Sequence, residues 1–372
     1  MAKTANVESA TLSFAVSNNP VENTAYITDF SDDDPAELRA IYRMMLLTRR
    51  FEERTGEMYT KAKIGGYCHL NLGEEATVVG LMSALKPEDY IFTNYREHGY
   101  ILARGVEPGR IMAELFGKAT GVSRGRGGSM HLFDIDTHFM GGYAIVGGQI
   151  PLAIGVAFAL CYHEQPGVVI CQMGDGTTNI GAWHESLNMA KLYKLPIIFY
   201  VVNNGYGMGL KVENGSAEPE LYRKGCAFRM HGERVNGKDP IAVRNAVQRL
   251  RLMAQDDGEP AILEAVSYRF RGHSVVDPAR YRDEEEVRRG REDDPVLRFA
   301  QNLLDAGILT DEIMKTLAEE IEQEVAAAID FANSSPDPQI EDLFTYMYAS
   351  PVANMPGPED ALEAARIARG EF

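Results

Sequence analysis

The sequence is poor in cysteine and has fewer basic than acidic residues. Its 372 residues include four cysteines and no CxxC pair, so the spacing indicates neither a zinc site nor a disulfide framework. Lysine and arginine number 37 against 54 aspartates and glutamates, which gives a formal net charge of −17. A field of that sign repels nucleic acid and anionic membranes. We therefore expect no nucleic acid or membrane as partner, and small anions as ligands instead.

The sequence also lacks a recognisable targeting or membrane segment. Its first thirty residues contain Lys3 as the only basic residue and no long apolar run, which argues against a secretory signal or a transit peptide. Residues 141–162 carry no charge, but five glycines, Gln149 and Pro151 interrupt them. We expect a tightly packed buried helix after Pro151 rather than a membrane span. These features predict a protein that begins near Met1 and resides in a reducing cytoplasm.

Two apolar, β-branched segments at 168–173 and 197–202 flank a helical segment and predict a βαβ unit with parallel strands. Asp175 follows the first segment, and Asn204 follows the second. In such a unit both strand ends lie at one edge of the sheet, about 5 Å apart if the strands are neighbours. A carboxylate and an amide oxygen can then share one cation, and oxygen ligands beside a phosphate favour Mg²⁺ over zinc.

The GDG sequence at 174–176 has two interpretations. Its glycines allow the backbone to approach a phosphate, but GDG alone is more often a turn with an N-capping aspartate. The asparagine pair that follows the next predicted strand favours the ligand-binding interpretation. Other mechanisms have little support, because the sequence lacks a GxxxxGK[ST] phosphate loop and an HExxH metal pair.

Further motifs follow one another along residues 36–348. They are HLNLGEEA at 69–76, NYREHG at 94–99, GRGGSMHLFD at 125–134, GGYAIVGGQIPLAIG at 141–155, GDGTTNIGAWHESLNMAKLYKLPIIF at 174–199, NNGYGMG at 203–209 and YRFRGHSVVDPARYR at 268–282. Together they resemble the α subunit of the first, decarboxylating component of 2-oxo acid dehydrogenase complexes. Within them, GDG followed by NN resembles the thiamine diphosphate motif.

The resemblance implies which residues hold thiamine diphosphate and Mg²⁺. The matched cofactor-binding positions are Tyr95, Arg96, Ala144, Val146, Asp175, Gly176, Thr177, Asn204, Tyr206, Arg269 and His273. Among them, Asp175, Asn204 and the main-chain carbonyl of Tyr206 are the implied Mg²⁺ ligands. His273 is the implied catalytic residue, with anchoring of the cofactor as its first role and proton transfer as its second. Ala144 stands where members of the family commonly have glycine, so its backbone conformation is a point to examine.

The resemblance also implies an activity and partners. The activity is oxidative decarboxylation of a 2-oxo acid, with the acyl group passed to a lipoyl group on an acyltransferase core. A β subunit supplies the other half of the site, so we expect an α2β2 assembly. The motifs favour pyruvate as substrate. Acetoin and branched-chain 2-oxo acids are the alternatives within the family, and a catalytically idle scaffolding subunit is the alternative outside it.

For the fold we expect a three-layer α/β domain with a mostly parallel sheet, an N-terminal arm and C-terminal helices. The predicted division is a loose arm at 1–35, the thiamine diphosphate-binding domain at 36–292, a C-terminal helical segment at 293–348 and an acidic tail at 349–372. A glycine-rich stretch at 118–148 is too long for a simple connection and is expected to be functional. The arginines between 269 and 291 are expected either to pair with nearby acids in solvent or to attract anions.

Overall fold

The computed structural model describes residues 21–23, 25–350, 354 and 356–370. In this part of the chain the main feature is a seven-stranded sheet whose recorded pairings are all parallel. The strands are β1 (Val21–Asn23), β2 (Tyr90–Asn94), β3 (Phe139–Tyr143), β4 (Val169–Gly174), β5 (Ile197–Asn203), β8 (His231–Asn236) and β9 (Ala261–Val266), with β6 (Tyr206–Gly207) and β7 (Leu210–Lys211) forming a separate antiparallel ribbon. The spatial order in the sheet is β1-β8-β9-β5-β4-β2-β3.

The sheet is covered by helices on both faces. The helices are α1 (Pro35–Thr60), α2 (Glu75–Ser83), α3 (His98–Ala103), α4 (Pro108–Leu115), α5 (Gln149–Tyr162), α6 (Gly181–Leu192), α7 (Val212–Gly215), α8 (Pro240–Asp257), α9 (Glu284–Glu292), α10 (Pro295–Asp305), α11 (Asp311–Ser334) and α12 (Pro358–Ala368). One hydrophobic cluster joins the sheet to α1–α4, α8, α10 and α11, and a second joins it to α5 and α6. The three-layer α/β prediction is confirmed.

The central strands β4 and β5 are neighbours, as the βαβ interpretation predicts. All seven residues of β5 are buried, and successive side chains enter opposite clusters, with Ile198 in one and Phe199 in the other. Helices cover both faces of a parallel sheet, so its central strands are apolar almost throughout. The pairing of Gly174 with Val202 sets the register at the carboxyl ends of the two strands.

The helix starts follow local capping chemistry. Asp34 caps α1, because its side chain accepts a hydrogen bond from the backbone N–H of Ala36 at 2.9 Å. Thr310 caps α11 in the same way, accepting from Ile313 N at 3.2 Å. Both starts carry local signals, because an aspartate before a proline and a threonine before a periodic apolar pattern are typical helix N-termini.

Helix α5 is less buried than the sequence predicted. Ala153, Ala157 and other small or apolar residues face the second cluster, but Leu152, Phe158 and Tyr162 are exposed on the opposite side. A helix packed along one side of a sheet presents its other side outward, whatever its composition. Within the described residues no helix combines the length and apolarity needed to cross a membrane.

The described part of the predicted N-terminal arm is attached to the core rather than loose. The N–H of Ile27 donates to Asp239 at 2.6 Å, and the hydroxyl of Tyr26 donates to Asp293 at 2.7 Å. Residues 1–20 lie outside the described residues. At the other end, α10 and α11 belong to the same hydrophobic cluster as α1. The predicted boundary between residues 292 and 293 therefore stays a prediction, and the structure shows packing across it.

The glycine-rich stretch closes around an internal carboxylate. Glu114, fully buried at the end of α4, accepts hydrogen bonds from the backbone N–H groups of Ser123, Gly125, Gly127 and Gly128 at 2.7–3.1 Å. Such convergent amides are a typical anion site, and here the anion is a side chain of the same chain. This part of the stretch therefore has a structural role.

We predict that Glu114→Gln destabilises the fold by about 2–4 kcal/mol, since an amide nitrogen would face two donors and leave both unsatisfied. The single tryptophan, buried Trp183, allows urea unfolding to be followed by fluorescence. The matched control is Glu107→Gln, an exposed position at the start of α4, which should change stability by less than about 0.5 kcal/mol. Equal unfolding midpoints for the two variants would contradict this account.

Candidate active site

A cavity of about 220 Å³ lies at the carboxyl edge of the sheet. Its walls come from the segments that follow β2, β3, β4, β5 and β9, which are five adjacent strands. Successive strands are added to the sheet in opposite directions on the two sides of the β2–β4 pair. The chain passes from β2 outward to β3 on one side, and from β4 outward to β5 on the other. Ligands of open parallel sheets bind at such a reversal, beyond the carboxyl ends of the strands.

All the residues implied by the resemblance except Ala144 line this cavity. The lining residues are Asn94, Tyr95, Arg96, Val146, Gly174, Asp175, Gly176, Thr177, Asn204, Tyr206, Gly207, Met208, Arg269 and His273. Ala144 is half-buried, and it is not among the described residues with positive φ. An alanine at this position therefore adopts its backbone conformation without the strain that a left-handed residue would bear.

Asp175 begins a short 3₁₀ helix, Asp175–Asn179, directly after β4. Its Oδ1 accepts from the N–H of Gly176 at 2.6 Å, whereas its buried Oδ2 has no hydrogen-bond partner among the described residues. Burial raises the pKa of this carboxyl to about 6, although the Gly176 N–H and the guanidinium of Arg269 oppose the shift. A buried carboxylate oxygen without a donor is an incomplete arrangement that a cation would complete.

The turn after β5 places Asn204 and Tyr206 at the same cavity. Gly205 adopts φ +84°, and the N–H groups of Gly205 and Tyr206 donate to the side-chain oxygens of Asn203 at 3.0 Å and Asn204 at 3.3 Å. The Tyr206 hydroxyl donates to Glu286 at 2.7 Å. The side chain of Tyr206 is thus bonded to α9, and its main chain is the part that belongs to the turn.

Two buried guanidinium groups contribute positive charge. Arg96 donates to the carbonyls of Leu70 at 2.6 Å and His273 at 2.8 Å. Arg269 donates to the carbonyl of Met208 at 3.2 Å. Neutral oxygens accept these hydrogen bonds, and the carboxylate of Glu74 lies 3.6 Å from Arg96 Nε. Guanidinium groups at a cavity wall are suited to bind an anion such as a diphosphate.

His273 lies in a small aromatic group. Its ring centroid is 5.6 Å from that of Tyr95 and 5.0 Å from that of His69. Its Nδ1 is buried without a hydrogen-bond partner in the described structure. Burial, together with the positive charges of Arg96 and Arg269, lowers the pKa of the imidazole to about 4, so the ring is neutral at pH 7.

The residues at the cavity fit a diphosphate with a divalent cation. Arg96 and Arg269 supply positive charge, the unpaired oxygen of Asp175 supplies a negative ligand, and the turn after β5 supplies the oxygen of Asn204. One carboxylate with neutral oxygens and a phosphate is the donor set that Mg²⁺ prefers. The assignment of each residue to the diphosphate or to the cation stays a prediction, which this arrangement supports.

Most of the other arginines between 269 and 291 contact groups outside the cavity. Arg282 donates to the carbonyls of Arg269 and Arg271 and so fixes the loop backbone. Arg288 and Arg289 pair with Glu285 on the exposed surface of α9. The expectation that these arginines pair with nearby acids in solvent holds for Arg288 and Arg289. Among the arginines between 269 and 291, only Arg269 lines the cavity.

Sequence reasoning assigned no role to two residues beside the site. Glu74 is buried and accepts from the Asn204 amide nitrogen at 2.7 Å. His69 is buried with its ring centroid 4.5 Å from that of Tyr95, and burial, followed by the charge of Arg96, lowers the pKa of the imidazole to about 2. Both belong to the motif HLNLGEEA. The polar residues of this motif, directly before a helix, are the sequence feature that could have indicated a role at the site.

Comparison with known proteins identifies the family to which the chain belongs. A family model described as dehydrogenase E1 component matches residues 42–341. Three relatives bear the name pyruvate dehydrogenase E1 component subunit alpha. The protein of Rhizobium meliloti (strain 1021) is 44% identical over 320 residues, 86% of this chain and 91% of the relative. That of Zymomonas mobilis subsp. mobilis is 46% identical over 314 residues, 84% and 88% of the two chains, and that of Porphyra purpurea is 40% identical over 320 residues, 84% and 93%.

We predict that a divalent cation competes with a proton at Asp175. Because the pKa of Asp175 is raised to about 6, a proton occupies the carboxyl below that pH and must leave when a cation binds. Mn²⁺ affinity, measured by calorimetry without diphosphate, whose own protons titrate in this range, should rise from pH 5 to about pH 7 and then level off. In Asp175→Asn this rise should disappear. A pH-independent affinity in the unmodified protein would contradict the assignment.

Proposed function

The chain belongs to the dehydrogenase E1 component family, and from this membership we propose that it is the α subunit of a pyruvate dehydrogenase E1 component. The reaction is thiamine diphosphate-dependent oxidative decarboxylation of pyruvate, with the acetyl group passed to a lipoyl group. The observation that carries the proposal is the single cavity lined by Asp175, Asn204, Arg96, Arg269 and His273. The names of the relatives support pyruvate as the substrate.

Thiamine diphosphate, when bound, supplies the nucleophilic carbon and the electron sink that the decarboxylation of a 2-oxo acid requires. The residues of this chain bind and orient it. Arg96, Arg269 and Tyr95 hold the diphosphate, while Gly176 and Thr177 lie along the backbone that approaches it. Asp175, Asn204 and the carbonyl of Tyr206 hold Mg²⁺. The resemblance matches Ala144 and Val146 to the positions whose backbone groups contact the aminopyrimidine of the cofactor.

His273 first anchors the cofactor and second moves a proton. With its pKa lowered to about 4, the imidazole is neutral at physiological pH, so it can accept a hydrogen bond or a proton at one ring nitrogen. Its backbone N–H donates to Asp277 at 2.6 Å and its carbonyl accepts from Arg96. These bonds fix the loop on both sides of the ring, so the ring is held at the cavity wall.

The proposed enzyme is an assembly, and this chain contributes one part. We place cofactor binding in residues 36–292, with a β subunit completing the site in an α2β2 assembly and a lipoyl acyltransferase core receiving the acetyl group. A cytoplasmic location is proposed as well. The bacterial relatives support it, and so do the four cysteines, all in the described chain and all free thiols.

We predict that the chain, co-purified with its β subunit, oxidises pyruvate with an artificial electron acceptor. The kcat/KM for pyruvate should exceed the values for acetoin and 3-methyl-2-oxobutanoate by at least about tenfold, because a pocket that fits a methyl group discriminates against larger ones. The highest kcat/KM on acetoin would overturn the substrate assignment. Full activity of this chain without the β subunit would overturn the shared site.

Asp175→Asn should reduce pyruvate oxidation by at least about 100-fold, because it removes the only charged ligand of the proposed cation site. Asp136→Asn, which changes an exposed aspartate, is the matched control and should retain full activity. Co-purification with the β subunit shows that each variant still assembles. Unchanged pyruvate oxidation by an assembly that contains Asp175→Asn would favour the scaffolding alternative over an enzyme subunit.

A further inference from the structure

Glu74 is a buried carboxylate in the wall behind the cavity. Its Oε1 accepts a hydrogen bond from Asn204 Nδ2 at 2.7 Å, and its Oε2 lies 3.6 Å from Arg96 Nε. One side chain therefore joins a predicted cation ligand to a predicted diphosphate ligand. Resting on the proposed function, we propose that Glu74 is a positioning residue that orients the Asn204 amide toward the cation and makes the cavity depend on a divalent cation for anion binding.

The orientation of Asn204 follows from donor and acceptor chemistry. A carboxylate can only accept hydrogen bonds, so it binds the NH₂ end of the amide and never the oxygen. The oxygen of Asn204 is thereby held on the other side of the amide, where it accepts from Tyr206 N at 3.3 Å and lies 3.5 Å from Arg269 Nη1. A glutamine at position 74 could present either an oxygen or an NH₂ group. It would therefore remove the shortest contact that fixes the amide and leave its orientation to the two longer contacts of the Asn204 oxygen.

The charge of Glu74 has a separate effect. Arg96 and Arg269 bring two positive charges to the cavity, and Asp175 with Glu74 brings two negative ones, all on buried side chains. Because these charges cancel, the wall attracts a diphosphate only weakly when no cation is bound. A bound divalent cation adds positive charge and strengthens the attraction. Removing the charge of Glu74 leaves a net positive wall, which should favour a free anion and disfavour a cation, since charges interact strongly where water is excluded.

The two effects are separated by two variants in the complex with the β subunit. Glu74→Gln removes the charge and the fixed orientation. Its dissociation constant for Mn²⁺, measured by calorimetry with thiamine diphosphate, should rise about tenfold, and that for inorganic diphosphate without divalent cation should fall at least about threefold. Glu74→Asp keeps the charge but is too short to hold Asn204. It should weaken Mn²⁺ binding and leave diphosphate binding unchanged.

Glu114→Gln is the control for a purely structural effect, because Glu114 is equally buried and its hydrogen-bond partners, Ser123, Gly125, Gly127 and Gly128, do not line the cavity. It should lower the unfolding midpoint and leave both dissociation constants unchanged. Unchanged Mn²⁺ affinity in Glu74→Gln, or a parallel loss of cation and anion affinity, would overturn the role of Glu74 while leaving the proposed function intact. Failure of the unmodified complex to bind thiamine diphosphate would overturn both.

Discussion

Parallel hydrogen bonding among β2, β4, β5 and β9 forces the segments after these strands to begin at one edge of the sheet. The backbone pairing is made mostly by buried, apolar residues that do not line the cavity. It nevertheless decides which polar residues meet, because Arg96, Asp175, Asn204 and Arg269 follow four different strands and converge only when the strands align. A scaffold of this kind separates stability from chemistry.

The polar residues at this edge depend on one another because each is buried. Isolated ionised groups are costly to bury, and here the cost is lowered by contacts between segments. Arg96 donates to Leu70 and to His273, so the motif before α2 and the loop after β9 are held by one guanidinium. Glu74 accepts a further hydrogen bond from Asn204, which lies in the turn after β5. A substitution at any of these residues therefore removes a contact that positions another of them.

Local sequence signals predicted the β4–α6–β5 unit and the residues at the strand ends. These features depend on a few neighbouring residues or on a single crossover. The contacts of Glu74, Glu114 and His69 were not predictable in this way, because they join loops whose positions depend on the finished fold. The exposed side of α5 and the attachment of the N-terminal segment were missed for the same reason, since composition does not reveal which neighbour a surface meets.

Strand β1 occupies an edge of the sheet beside β8, and Ile27 bonds to Asp239, 212 residues further along the chain. On a ribosome, the amino-terminal segment emerges before the strand that it pairs with has been synthesised. Contacts this distant form late in folding, because they wait for a large loop to close. The sheet edge at β8 therefore stays open until β1, which is translated long before β8, returns to it. A strand made early completes the sheet late.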